Sequence, residues 1–125
     1  MTVELDSLSY DCAEPLRVAT FWAAVLAFEL DPESDQQGAW ISDPSGRTRG
    51  IYFQPVPEPK VAKNRLHIDL RPATSMAAEV DRLVELGAEI VGRVDEGGSF
   101  WTVMRDVEGN ELCVLRGPED GWTPE

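Results

Sequence analysis

The sequence is poor in the residues from which active sites are commonly assembled. It holds 1 histidine, His67, and 2 cysteines, Cys12 and Cys113. Two thiols of plain spacing exclude a disulfide framework and a zinc knuckle, and free cysteines suit a reducing cytoplasmic setting. Basic residues are scarce as well: 11 Lys and Arg face 23 Asp and Glu, for a formal net charge of −12. Such a balance argues against nucleic acid, whose phosphates demand a basic surface. No apolar run approaches the roughly 18 residues of a membrane span. The opening MTVELDSLSYD lacks the basic and apolar regions of a secretory leader. A soluble cytoplasmic protein is therefore expected, bound to neither nucleic acid nor membrane. Its acidity favours solubility and would attract cationic ligands, without identifying one.

What is present is ample for a core. Hydrophobic residues make up 42% of the 125 positions, with 4 tryptophans, and that length suits a single domain. Periodicity gives a strand near Glu4–Tyr10 and a helix over Pro15–Leu26, with Pro15 in the first turn. Phe21, Trp22, Val25 and Leu26 form its apolar stripe. DPESDQQG follows as a polar loop; it lacks the glycine and distal glutamate that a calcium loop needs. Strands are expected at Gly38–Ser42 and Arg49–Gln54, joined by the turn DPSG. The prolines of PVPEPKVAKN make an extended connector. The strand RLHIDLR then leads to a helix over Ser75–Leu86, with Thr74 or Ser75 as cap and Gly87 as stop. Strands at Glu89–Val94, Phe100–Arg105 and Glu111–Leu115 complete the run, the last two joined by DVEG.

The halves overlay. LAFEL (26–30) and LGAEI (86–90) follow the two helices at an offset of 60, and DPSG and DVEG stand at an offset of 63. The order of these matches indicates one β-α-β-β-β unit used twice, an α+β chain with mainly antiparallel pairing. The expected organisation is module one at about 1–54, a connector at 55–63, module two at about 64–117 and a tail at 118–125.

Three segments, DCAEPLRVATFWAAVLAF (11–28), FQPVPEPKVAKNRLHIDL (53–70) and WTVMRDVEGNELCVLR (101–116), together with LGAEIV, carry a family likeness. The chain resembles the glyoxalase, bleomycin-resistance and extradiol-dioxygenase group, the vicinal oxygen chelate superfamily. It is most similar to the small glyoxalase-like proteins common in actinobacteria. The resemblance implies two tandem modules whose sheets curl around a shared open cleft, often in a homodimer. It also implies, in metal-using members, four ligands, one from each of two strands in each module. Carried over residue by residue, those positions fall on Ser7, Tyr52, His67 and Cys113. Only His67 keeps the expected chemistry. Serine is a poor neutral ligand, tyrosine would have to ionise, and His plus Cys falls short of the about three or four protein ligands that are usual. No metal of the family type and no cofactor is therefore expected.

The cleft is expected to be lined by Ser7, Tyr52, His67, Asp69, Trp101 and Cys113. His67, Asp69 and Arg71 alternate with Leu66, Ile68 and Leu70, which would face the other way. His67 and Cys113 are the catalytic candidates, as an acid/base and as a nucleophile; each also reads as a packing residue. Trp40, Tyr52, Trp101 and Phe53 read first as core and second as a platform for a planar or cationic ligand. Arg71 is expected to reach solvent, as is the basic group Lys60, Lys63 and Arg65. Trp122 in the tail would dock on the domain or on a partner chain. The first functional expectation is a glyoxalase-like protein that binds a small organic molecule without a metal. Two alternatives are a drug-sequestering protein of the bleomycin-resistance type and a metal-dependent lyase, isomerase or dioxygenase with substituted ligands. A domain kept for association with another protein is a further possibility.

Overall fold

The computed structural model describes residues 2–124. The chain divides into two compact units, Met1–Pro59 and Lys60–Glu125, with the division inside the proline-rich connector. Each unit holds one helix and one four-stranded mixed sheet, so the strands form two sheets rather than one. Among the described residues, no helix is long and apolar enough to cross a membrane.

In the first unit, β1 (Leu8–Cys12) precedes helix α1 (Pro15–Leu26), and β2 (Glu29–Leu30), β3 (Ala39–Ser42) and β4 (Gly50–Pro55) follow. The sheet order is β1-β4-β3-β2, parallel between β1 and β4 and antiparallel elsewhere. Helix α1 has the expected bounds. Pro15 opens it without needing a donor, and Ala27 closes it in the left-handed region at φ 56°. Its stripe of Val18, Phe21, Trp22 and Val25 is buried, as are Ile41, Ile51 and Phe53 on the sheet. Phe53 is thus core and not platform.

The second unit repeats the plan with β5 (Ile68–Leu70), α2 (Met76–Leu86), β6 (Glu89–Glu96), β7 (Ser99–Arg105) and β8 (Glu111–Leu115), ordered β5-β8-β7-β6. The equivalence extends to register. Ser9 stands opposite Tyr52 in β1–β4, and Asp69 stands opposite Cys113 in β5–β8, both in parallel pairs. Ser75 is the cap of α2, its hydroxyl accepting from the Ala78 amide at 3.1 Å, and Gly87 stops the helix at φ 116°. Met76, Val80 and Leu83 of α2 are buried along with Met104, Leu112 and Val114 of the sheet. The Thr102 hydroxyl lies 3.5 Å from the Met76 sulfur, which places the helix on that face.

Strand limits differ from the sequence expectation where pairing partners run out. β1 begins at Leu8 rather than Glu4, because its neighbour β4 begins only at Gly50. β5 is confined to Ile68–Leu70, so His67 immediately precedes the paired run. Leu66 leaves the buried row altogether and is 73% exposed. The two-residue strand β2 is too short for a periodic signal. A short 3-10 helix, Pro118–Asp120, organises a tail in which the sequence offers no periodicity.

Candidate functional site

With α2 on one face of the second sheet, the opposite face carries alternate residues from all four strands. Asp69 of β5, Cys113 and Leu115 of β8, Trp101 and Val103 of β7 and Val94 of β6 belong to it. Register binds them into rows: Cys113 faces Asp69 on one side and Val103 on the other, and Trp101 lies between Leu115 and Val94. Together they floor a cavity of about 620 Å³ within the second unit. This is the period-two alternation of the strands converted into a surface.

His67 is at one end of this floor. Its Nε2 is 3.2 Å from the Asp69 Oδ1, and both side chains are substantially exposed. Cys113 is buried, and burial is the chief cause that raises its thiol pKa above the ordinary value; the negative charge of Asp69 and a hydrogen bond to that carboxylate add to it. Lys63 opposes them, less strongly than burial or the Asp69 charge. A nucleophilic cysteine needs the reverse conditions, a lowered pKa and an adjacent free base. Here the imidazole nitrogen is directed to Asp69 instead. The raised thiol pKa and the contact of the imidazole with Asp69 are the opposite of what activates a cysteine.

At the other end, Arg71 does not simply reach solvent. Its guanidinium sits 4.2 Å from the Trp122 ring centroid, and its Nη1 donates to the Arg116 carbonyl at 2.7 Å. Arg71, Arg116, Phe100 and Trp122 all line the cavity. Lys63 lines it too, while Lys60 pairs with Glu111 at 3.0 Å, so this basic group is only partly a solvated loop. Glu111 is held below the usual carboxylate range: burial opposes this, but the Asn64 amide and Lys60 outweigh it. Phe100 and Arg116 were missed because strict alternation puts them on the face opposite to Trp101 and Leu115, so no periodic signal assigns them to the cavity. Trp122 docks on the domain, one of the two outcomes expected for it, through the turn of the tail.

Four of the six expected lining residues, His67, Asp69, Trp101 and Cys113, meet in this cavity. Ser7 and Tyr52 belong to the first unit. The Ser7 hydroxyl donates to the Asp6 carboxylate at 3.0 Å. Tyr52 pairs across strands with Trp40, and both line a shallower hollow of about 310 Å³ in that unit.

The model of the glyoxalase-like domain family matches residues 7–115. The chain belongs to that family. Solved structures of the same fold include a glyoxalase/bleomycin resistance protein/dioxygenase family enzyme from Burkholderia phytofirmans PsJN, at 14% identity and TM-score 0.70 over 90% of this chain and 97% of that one. A second is a mutant of the fosfomycin resistance protein FosX from Listeria monocytogenes, complexed with Mn(II) and a dihydroxypropylphosphonic acid. It shares 15% identity at TM-score 0.70, covering 94% of this chain and 92% of that one. A possible glyoxalase from Bacillus cereus matches at 13% identity and TM-score 0.65, over 91% and 99% of the two chains. No curated protein sequence matches significantly.

The glyoxalase-like fold raises the question of a metal, and the side chains answer it. Of the four family positions, Ser7 spends its hydroxyl on Asp6. Tyr52 packs its phenol so close to Gly38 that a Cβ there would lie 2.5 Å from the oxygen. Neither supplies the charged or imidazole donor that a divalent ion prefers. His67, Asp69 and Cys113 do offer one donor atom each, all within 4.8 Å of one another. Asp69 is already engaged by both neighbours, however, and the thiol is pushed toward its protonated form. A ligating cysteine must be a thiolate. The four-position set of the family does not fit its ion in this chain.

Proposed function

We propose that the second unit binds a small organic molecule over the open face of its sheet, without a metal of the family type. The observation that carries this is the cavity floored by Trp101, Cys113 and Leu115 and edged by His67 and Arg71. Its volume of about 620 Å³ falls in the range of roughly 300–1,000 Å³ common for small-molecule sites, and apolar walls with a few convergent polar groups are their usual lining. His67 supplies a hydrogen-bonding group at the edge of the cavity. Cys113 serves as wall. The same aromatic lining supports, second, a sequestering role of the bleomycin-resistance type.

Thermal shift of the purified protein against metabolites and drugs tests the reading, with hits confirmed by calorimetry. We expect a stoichiometric ligand whose binding is lost in Trp101→Ala. A ligand bound equally well by that variant would place the site elsewhere and overturn the proposal. A large shift with a glycopeptide drug alone would promote sequestration. We also propose a homodimer in a cytoplasmic setting. Ile90 and Val91, exposed on the edge strand β6, and two buried unbridged thiols support it. Sedimentation showing only monomer at micromolar concentration would sink the dimer.

A further inference from the structure

The chain has more than twice as many acidic as basic side chains, so an unpaired cation is conspicuous. Arg17, Arg49, Lys60, Arg82, Arg93 and Arg105 each have a carboxylate partner. Among the described residues, Arg47, Lys63, Arg65, Arg71 and Arg116 form no salt bridge; of these, Lys63, Arg71 and Arg116 line the cavity over the second sheet, and the Arg116 charge acts on Asp120. Arg71 follows β5 and Arg116 follows β8, and these strands are parallel neighbours. Both guanidinium-bearing residues therefore stand at the same end of the sheet. β7 runs antiparallel to β8, with Trp101 opposite Leu115, which brings Phe100 and Trp101 to that end as well.

The aromatic groups hold the cations in place. Trp122 lies under Arg71 at 4.2 Å, and the Arg116 guanidinium is 5.7 Å from the Phe100 ring centroid. Arg71 has a single hydrogen bond among the described residues, to the Arg116 carbonyl, out of five N–H donors. The carboxylates of the lining are disposed differently. Asp69 is satisfied by His67, and Glu111 by Lys60 and Asn64. Glu96 ends β6, on the opposite edge of the sheet from β5.

We propose that this end of the cavity recognises the carboxylate of a planar aromatic anion, with Arg71 on the carboxylate and Trp101 against the ring. The inference rests on the small-molecule reading above and specifies its ligand class. It runs against the charge of the whole chain, which favours cations. A guanidinium in a partly dehydrated, aromatic setting binds a carboxylate through charge-assisted hydrogen bonds. The remote acidic surface is screened within about 8–10 Å at physiological salt.

Calorimetry with three isosteric probes tests it: 2-naphthoate, 2-naphthylmethylamine and 2-naphthalenemethanol. The carboxylate is expected to bind at least tenfold tighter than the amine and the alcohol. Arg71→Gln should weaken naphthoate at least fivefold and leave the alcohol unchanged, and Arg71→Lys should restore part of the loss. Melting curves of both variants establish that they are folded. Equal binding of alcohol and carboxylate, or tighter binding of the amine, overturns the anion assignment and leaves the small-molecule reading standing. Binding of none of the three overturns both.

Discussion

Asp69 stands directly across from Cys113 in the parallel pairing of β5 and β8, with the His67 imidazole on its other side. One carboxylate thereby contacts the histidine and, after burial, adds to what raises the thiol pKa. The three donor atoms lie within 4.8 Å of one another.

Cys113 should alkylate slowly. With its pKa raised by burial and by Asp69, iodoacetamide labelling followed by mass spectrometry should lag a free cysteine at neutral pH and accelerate only above the ordinary thiol range. Asp69→Asn removes the negative charge and should speed labelling several-fold. A Cys113 that labels as fast as a small thiol at pH 7 would contradict this account. The linkage has a sign: a raised thiol pKa stabilises the fold below the unfolded cysteine's pKa, and that stability is lost as pH rises through the folded value.

Metal binding should be weak or absent. Titration of metal-free protein with Ni²⁺, Zn²⁺, Mn²⁺ and Fe²⁺ is expected to show no stoichiometric uptake at micromolar concentration. One tightly bound equivalent, lost in His67→Ala, would reverse the conclusion. Cobalt offers a separate optical check, because thiolate coordination by Cys113 would add a charge-transfer band.

Asp120 ties the tail to α2. Its carboxylate accepts from the Met76 amide at 2.7 Å and the Gly117 amide at 2.9 Å, and those bonds hold its pKa below the usual carboxylate value. Asp120→Ala should cost about 1 kcal/mol, the usual scale for losing a helix N-terminal acceptor. The pKa is lowered, so the contribution is present above the unfolded carboxylate's pKa and disappears as pH falls through the folded one. Urea denaturation at pH 7 should separate the variant from the parent. At pH 3 the gap should narrow; an unchanged gap would assign the effect to packing.

Gly50 marks a close approach in the first sheet. Its φ is +132°, and a Cβ there would lie within 1.9 Å of the Ile41 carbonyl oxygen. Gly50→Ala is expected to destabilise by about 1–3 kcal/mol or more, the scale for a residue forced into a disfavoured backbone region. The neighbouring Gly46 has φ +75° but open space around it. Gly46→Ala should therefore cost less. Chemical denaturation of the two variants in parallel checks the order.

Much of this molecule follows from short-range rules. Helix α1 could be bounded to the residue because Pro15 and an apolar stripe define it, and Ser75 and Gly87 punctuate α2 in the same way. The repeat was legible because both units need the same turns after the same elements. Alternation around His67 put His67, Asp69 and Arg71 on one face, and the family likeness added Cys113; all four line the cavity of the second unit. Strand ends were less legible, since a strand extends only as far as its neighbour offers donors and acceptors. Leu66 shows the consequence.

The sequence by itself determined the two β-α-β-β-β units and the buried stripes, because periodicity and capping are local properties. Only tertiary structure decided that Asp69 contacts both His67 and Cys113, and that Arg71, Arg116 and Trp122 converge at one end of a cavity. Those relations join residues some 45 to 50 positions apart through sheet register and a folded tail. No local pattern encodes that register.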